Sequence, residues 1–387
     1  MTRKALELYF HMPIQFKKIS DHKDLRGKRV LLRLDLNVPI VGEEVRDDFR
    51  IQRALPTLQF LKNAGAKTIV ISHIENELTD SLGRVATYVS KLIEVKAFVS
   101  RLADAPTIAS ALKEGEIIIL ENLRTDAREK ENGPGLAGRL ASLADIYVND
   151  AFSVSHREHA SIVGVPRLIP AYAGLLLAQE VEELSKAFNP PKPFLFILGG
   201  AKFDTKLPLI EKFLDLADNT FVGGALANDL FREKGFEVGL SMTSKSPVNL
   251  KHIEKNPKLM LPSDVVVANP MAKIVKSPDQ VGPDEKMLDA GPRTISDLSD
   301  MLSEAQFVLW NGTLGAYEFG YAEGTENLAK AIVESGARSI IGGGDTIAVV
   351  SKMGILDKFS FVSTGGGAML EFLAKETLPG IEALKQN

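Results

Sequence analysis

Short apolar, β-branched runs alternate with stretches of helical periodicity from about Arg29 to the end of the chain. That alternation is the pattern of strands and crossover helices in parallel sheets, so the expected class is α/β. In the first half, Val30 to Leu34, Thr68 to Ser72, Ile117 to Leu120 and Ile146 to Val148 read as strands, with helices such as Arg53 to Lys62 and Leu136 to Leu143 between them. Polar residues follow each strand at once: Asp35 and Asn37, then His73, then Glu121, Asn122 and Arg124, then Asn149 and Asp150. Open parallel sheets bind ligands at the carboxyl ends of their strands, so these groups are expected on one rim.

From Ala173 to Phe188 the sequence AGLLLAQEVEELSKAF has helical periodicity and stops at Asn189-Pro190-Pro191, which predicts a helix joining two domains. The domains are expected at 12–172 and 190–375, with the join at 173–189. Beyond it, strand, glycine and helix recur four times: Phe194 to Leu198 before Gly199-Gly200, Phe221-Val222 before Gly223-Gly224, Ser339 to Ile341 before Gly342 to Gly344, and Phe359 to Ser363 before Gly365 to Gly367. Glycines let backbone N–H groups approach a phosphate, and a following helix start adds unpaired N–H groups and partial positive charge. Asp345 and Thr346 add hard oxygens suited to a magnesium ion shared with phosphates; the alternative for Asp345 is a helix cap. The Lys245 to Pro283 region reads as loop-rich.

Composition narrows the classes. The 387 residues allow two or three domains, and a formal net charge of -4 gives no general reason to expect nucleic acid or an anionic membrane as partner. With no cysteine, disulfides, thiolate catalysis and cysteine-based metal sites are excluded. No apolar run reaches the roughly 18 residues of a spanning helix, and the start lacks a signal-peptide core, so the cytoplasm is the expected location. Residues 1–11 read as an extension, since Met12 would also serve as a start.

Familiar nucleotide motifs are missing. GGAKFDTK at Gly199 to Lys206 lacks Walker A spacing, and no G-x-G-x-x-G follows a strand. Lys202 and Lys206, four apart at a helix start, can share one face near the glycine turn; cations there oppose the helix dipole, so phosphate binding accounts for them better than helix stability, with a solvated basic face as the alternative. Arg50, Arg124 and Arg157, with His73, His156 and His159, suggest a pocket for a small anion, since guanidinium matches phosphate and carboxylate through paired contacts. His156 and His159 find no third metal ligand at a persuasive spacing. Glu318 after Trp310-Asn311-Gly312 could accept ribose hydroxyls, or simply lie on the surface.

With these residues in view, the chain resembles phosphoglycerate kinase over nearly its whole length. The stretches that carry the resemblance are RVLLRLDLNVP (Arg29 to Pro39), DDFRIQRALPT (Asp47 to Thr57), ENLR (Glu121 to Arg124), VNDAF with HREHAS (Val148 to Ser161), LGGAKFDTK (Leu198 to Lys206), LDAGPRTI (Leu288 to Ile295), VLWNGTLGAYE (Val308 to Glu318), IIGGGDT and VSTGGGA (Val362 to Ala368). The resemblance implies two Rossmann-like domains, each a parallel sheet flanked by helices and joined by a hinge helix, with 376–387 returning to the first domain. It implies magnesium-dependent phosphoryl transfer between 1,3-bisphosphoglycerate and ADP, giving 3-phosphoglycerate and ATP, by a monomer acting on small molecules. By that pattern the acid is held by Asp35, Asn37, Arg50, His73, Arg124 and Arg157. The nucleotide side would be Lys202, Lys206, Gly291, Asn311, Glu318, Gly343, Gly344, Asp345 and Thr346, with Asp345 on the metal. Arg50, Lys202, Lys206, Gly344 and Gly367 would stabilise the phosphoryl in flight.

One stretch departs from the family. Its His-Leu-Gly-Arg-Pro is here His73-Ile74-Glu75-Asn76-Glu77, so Asn76 stands at the substrate-contacting arginine and two carboxylates flank it. Arg84 is the candidate substitute donor. Losing one charge-assisted contact costs about 1.5 to 3 kcal/mol, roughly 10- to 150-fold in affinity. Asn76→Arg is therefore expected to lower the Michaelis constant for 3-phosphoglycerate in initial-rate assays. An unchanged or higher value would mean that the loop meets the acid in another way.

Overall fold

The computed structural model describes residues 15–75, 79–201, 203–244, 250–268 and 273–385, without the side chains of 203–205. Residues 1–11, Asn76, Glu77 and Lys202 of the sequence reading thus lie outside the described residues. Two compact units result: one runs to Glu182 and resumes at Lys375, and the other is Glu183–Ala374. Among the described residues no helix is long and apolar enough to cross a membrane.

In the first unit six parallel strands stand in the order Ala97–Val99, Ile117–Leu120, Lys67–Ile71, Arg29–Arg33, Ile146–Asn149, Ala171–Ala173. The four middle strands are buried at every residue except Arg29 and Lys67, which enter from the amino-terminal edge. Helix Phe49–Asn63 lays Ile51, Leu58 and Leu61, and helix Gly83–Leu92 lays Val85 and Val89, into one core with Val30, Leu32, Val70 and Val148. Full burial of each such side chain is worth about 1.5–3 kcal/mol.

Ala173, read from the sequence as helical, closes the edge strand instead, and the helix runs Leu175–Ser185. The cause is Asp150. Gly174 passes so close that a Cβ there would come 2.2 Å from Asp150 Oδ1, and that oxygen accepts the Leu177 N–H at 3.0 Å, so the helix starts two residues late. The division between the units falls within this helix.

In the second unit the order is Leu259–Met260, Asn219–Val222, Phe194–Leu198, Phe307–Asn311, Arg338–Gly342, Phe361–Val362, again all parallel. The loop-rich expectation for Lys245 to Pro283 needs correction. Residues 245–249 and 269–272 lie outside the described set, but Val265–Ala268 pairs antiparallel with Lys273–Lys276 and with Lys286–Ala290. These strands are short and sit among Pro262, Pro270, Pro278 and Pro283, which masks their pattern. Val265 and Val267 point inward while Val266 and Ala268 are half exposed, the alternation of a sheet wet on one face.

Helix Pro379–Lys385 belongs to the first unit. Leu378, Ile381 and Leu384 are buried, the Gly380 N–H donates to Ser155 O at 2.8 Å, and a Cβ on Gly380 would meet Ile162 and Ser155 at 2.9 Å. Ile381→Ala is expected to cost about 2–5 kcal/mol. Urea titration followed by far-ultraviolet circular dichroism should show an earlier transition; an unmoved midpoint would mean that this segment adds nothing to the core.

Candidate active site

The rim of the first unit gathers most of the residues expected around the acid. Asp35, just past strand Arg29–Arg33, is 8% exposed; it accepts from Ser153 Oγ and from the Asn37 N–H at 3.0 Å, and lies 3.2 Å from Arg50. Burial raises its pKa, but the Arg50 charge first, then the hydrogen bonds from Ser153 and the Asn37 N–H, more than offset this and hold it below the usual range. Arg50 also donates to Asn37 O at 2.8 Å, and Asn37 Oδ1 accepts the Glu75 N–H at 3.0 Å. Glu75 in turn meets Arg124 at 2.5 Å, so Asp35, Asn37, Arg50 and Arg124 are tied through short contacts.

His73 is part of this cluster without adding charge. It is 2% exposed, with Nδ1 3.2 Å from Arg33 Nη2. Burial, then the adjacent Arg33, pulls its pKa to about 3. A ring nitrogen facing a guanidinium is the acceptor, so the proton sits on Nε2. His159 behaves alike: burial takes it to about 4, against Glu129 and helped by Arg124, Arg33 and Arg157. Positive charge on this rim comes from arginine. Arg157 is exposed beside His159. Arg84 donates to Gly42 O at 2.6 Å and pairs with Glu43 at 2.5 Å, so its side chain is committed to the hairpin Ile40–Val45.

A buried network that the sequence reading did not single out supports the rim. Arg33 is fully buried; it donates to Leu34 O at 2.5 Å and to Ser161 Oγ at 3.0 Å. Ser161 donates its N–H and hydroxyl to the fully buried Glu129 at 2.9 and 2.5 Å, and Tyr147 donates to Ser161 O at 2.6 Å.

In the second unit the glycines at the strand exits divide into two kinds. Gly199, Gly224 and Gly312 are packing glycines: a Cβ on Gly199 would come 2.3 Å from Thr313 O, one on Gly312 2.3 Å from Gly199 O, and one on Gly224 2.7 Å from Gly200 N. Gly344 and Gly367 differ. Each begins a helix, Gly344–Lys352 and Gly367–Lys375, with ordinary φ, and nothing lies within 4 Å of where a Cβ would stand. Gly343 precedes the first of these at φ 100°, a conformation suited to glycine.

The remaining predicted groups fall in three places. Lys206 on helix Phe203–Leu216 sets its ammonium on Gly199 O at 2.9 Å, at the glycine turn. Glu318 and Asp345 are exposed and line a cleft of about 230 Å³ with an apolar wall that includes Phe231, Met242, Leu288, Leu314 and Phe319. That wall comes from separate elements, and no local sequence signal announces it. Asp345 Oδ1 also accepts from Tyr317 at 3.3 Å. Asn311, Thr346 and Gly291 instead brace the backbone. Thr346 is fully buried and accepts the Gly312 N–H at 2.9 Å; Asn311 lies under Gly343; Gly291 caps helix Pro292–Leu302 against Asp264, which a Cβ would meet at 2.3 Å.

Comparison with known proteins agrees with this arrangement. A family model described as phosphoglycerate kinase matches residues 19–376. A phosphoglycerate kinase of Roseiflexus sp. (strain RS-1) is 40% identical over 391 residues, covering 95% of this chain and 99% of that one. One from Moorella thermoacetica is also 40% identical, covering 94% and 98%. Among solved structures, phosphoglycerate kinase from Coxiella burnetii matches with a TM-score of 0.83 at 38% identity over 96% of this chain and 99% of that one. The enzyme from Pyrococcus horikoshii OT3 gives 0.84 at 31% over 95% and 98%. An arginine-lined rim on one parallel sheet, glycine turns with a lysine on the other, and matches spanning both leave one conclusion: this chain belongs to the phosphoglycerate kinase family.

Proposed function

We propose that this chain catalyses reversible phosphoryl transfer between 1,3-bisphosphoglycerate and ADP, giving 3-phosphoglycerate and ATP, as a monomeric cytoplasmic enzyme of glycolysis. In the forward direction the acyl-phosphate P–O bond breaks, a β-phosphate oxygen of ADP bonds to phosphorus, and the electron pair leaves on the carboxylate. Such chemistry asks the protein for position and charge rather than covalent help. Arg50, Arg124 and Arg157 receive the acid's anionic groups. Asp35 and neutral His73, whose free Nε2–H is a donor, orient its hydroxyl and oxygens. On the nucleotide side the apolar cleft takes the base, Glu318 the ribose, and Lys206 with the N–H groups at Gly344 and Gly367 the phosphates. Lys202 is assigned beside Lys206, and Asn76 to the acid loop, by family pattern alone, since both lie outside the described residues.

The observation that carries the nucleotide assignment is the pair Gly344 and Gly367, where neither backbone angle nor packing calls for glycine. A ligand approaching the backbone does. Asp345 suits magnesium: among the described residues no three metal-binding side chains gather, so an ion on one exposed carboxylate would take its other oxygens from phosphates and water, as magnesium does. When bound, magnesium neutralises charge on the phosphates. With acid and nucleotide assigned to different units, transfer requires the two to close together, which also keeps water from the acyl phosphate.

Two outcomes test the assignment. Gly344→Ala has room in the structure and is expected to leave the thermal midpoint unchanged or slightly higher, since alanine favours helix by up to about 1 kcal/mol, while ATP formation in a coupled assay falls. Unimpaired ATP formation would remove the backbone cradle. Lys206→Ala is expected to lower turnover on the order of 100-fold or more while nucleotide affinity in a calorimetric titration changes far less. Equal losses would reduce Lys206 to a ground-state contact.

A further inference from the structure

Glu75 departs from the family pattern at the mouth of the acid pocket, and its surroundings hold it there. Ile74, just before it, is buried between both ends of the Asn122 amide: its N–H donates to Asn122 Oδ1 at 3.2 Å and its carbonyl accepts from Asn122 Nδ2 at 2.9 Å. The Glu75 N–H is taken by Asn37. With the backbone held up to its own N–H, the Glu75 side chain lies across the arginine. Its carboxylate sits 2.5 Å from Arg124 Nη1 and 3.1 Å from Lys130 Nζ. The Arg124 side chain is only 11% exposed and its Nε is buried with no hydrogen-bond partner, whereas Glu75 is 55% exposed. The guanidinium is therefore a built, underused anion seat, and the group on it can swing out into water. Burial disfavours the Glu75 charge, but Lys130 and then Arg124 more than compensate, so its pKa lies below the usual range and it is a full anion at neutral pH.

We propose that Glu75 is a built-in competitor at the acid site: a tethered carboxylate that covers the Arg124–Lys130 seat and lowers the apparent affinity of every anion that needs it. The inference rests on the acid-binding role given above to this rim. A tethered group competes at an effective concentration of order mM. A free carboxylate that displaces it exchanges one carboxylate contact for another and gains nothing. A phosphate brings more charge and three acceptor oxygens, enough to engage Lys130 and two N–H groups of Arg124, including the unused Nε. Apparent affinity is the intrinsic affinity reduced by the fraction of molecules with the seat open. The penalty is one common factor, so it leaves the seat to whichever anion has the greater intrinsic affinity.

The experiment is calorimetric titration of the full chain with inorganic phosphate and separately with glycerate, in the unaltered protein and in Glu75→Gln and Glu75→Gly, each checked by its thermal midpoint. Removing the charge is expected to tighten phosphate and glycerate alike, roughly three- to tenfold, with the ratio between them unchanged. The gain should vanish in Glu75→Gln/Arg124→Gln. Unchanged or weaker binding of either ligand in both folded variants, or a gain that persists without Arg124, would each overturn the proposal. These titrations need neither nucleotide nor turnover. Should the unaltered chain fail to form ATP from 1,3-bisphosphoglycerate, the reaction assigned above falls while this inference is judged on its own data.

Discussion

Burial of both sheets on both faces is the constraint from which the site follows. Along Phe194–Leu198 and Phe307–Asn311 every residue is buried, so chemistry has to wait for the strand ends. Register sets where those ends fall: Asn311 stands opposite Leu198 on one side and Gly342 on the other. The Gly199 N–H then bonds Asn311 O at 2.8 Å, and the Gly200 N–H bonds Thr313 O at 2.8 Å. Neighbouring exits are knitted to each other so closely that side chains at Gly199 or Gly312 would collide. Only beyond this inner layer does the backbone open, at Gly344 and Gly367, and Lys206 reaches back across it.

The first unit meets the same constraint with buried charge. Arg33 and Glu129 are fully buried and joined through Ser161. Such groups add little net stability, but losing one partner typically costs about 3–5 kcal/mol, so the arrangement is held to a single geometry. Arg33 also fixes His73 as a neutral ring, and His73 faces Asp35 at 4.0 Å. A rigid, neutral donor beside a carboxylate, with more exposed arginines outside it, suits an acid phosphate better than a uniformly cationic bowl. It presents shape at the bottom and charge at the entrance.

Much of this was legible in the sequence because burial and periodicity leave local traces. Ile117 to Leu120 and Phe194 to Leu198 match their strands at both ends, and the polar residues after the strands do share a rim. What stayed hidden depends on partners distant in the chain. Whether a glycine serves packing or leaves the backbone open is decided by Thr313 or by empty space, and neither is visible beside Gly199 or Gly344. Thr346 reads as a ligand oxygen until Gly312 is seen donating to it. That His73 is a neutral ring follows from its burial beside Arg33, which the sequence around it does not show. The strands Val265–Ala268 and Lys273–Lys276 escape because each is only four residues long and prolines crowd them.

Family membership settles the reaction more firmly than the strength of acid binding, and the reason is where the departures fall. The interior network and the packing glycines Gly199 and Gly312 are over-determined: each has several partners or close neighbours, and a change would disturb the fold. The segment after His73 is held only by Asn122 and Asn37 through its backbone, so its side chains vary without structural penalty. The departure from the family pattern falls in this stretch, at the pocket's entrance, where Glu75 covers Arg124. Covering it with Glu75 changes how much of the arginine's charge reaches an incoming ligand, and leaves untouched the groups that align the phosphoryl for transfer. Within one fold, the residues that set affinity can drift while those that set chemistry stay, because only the latter are anchored from behind.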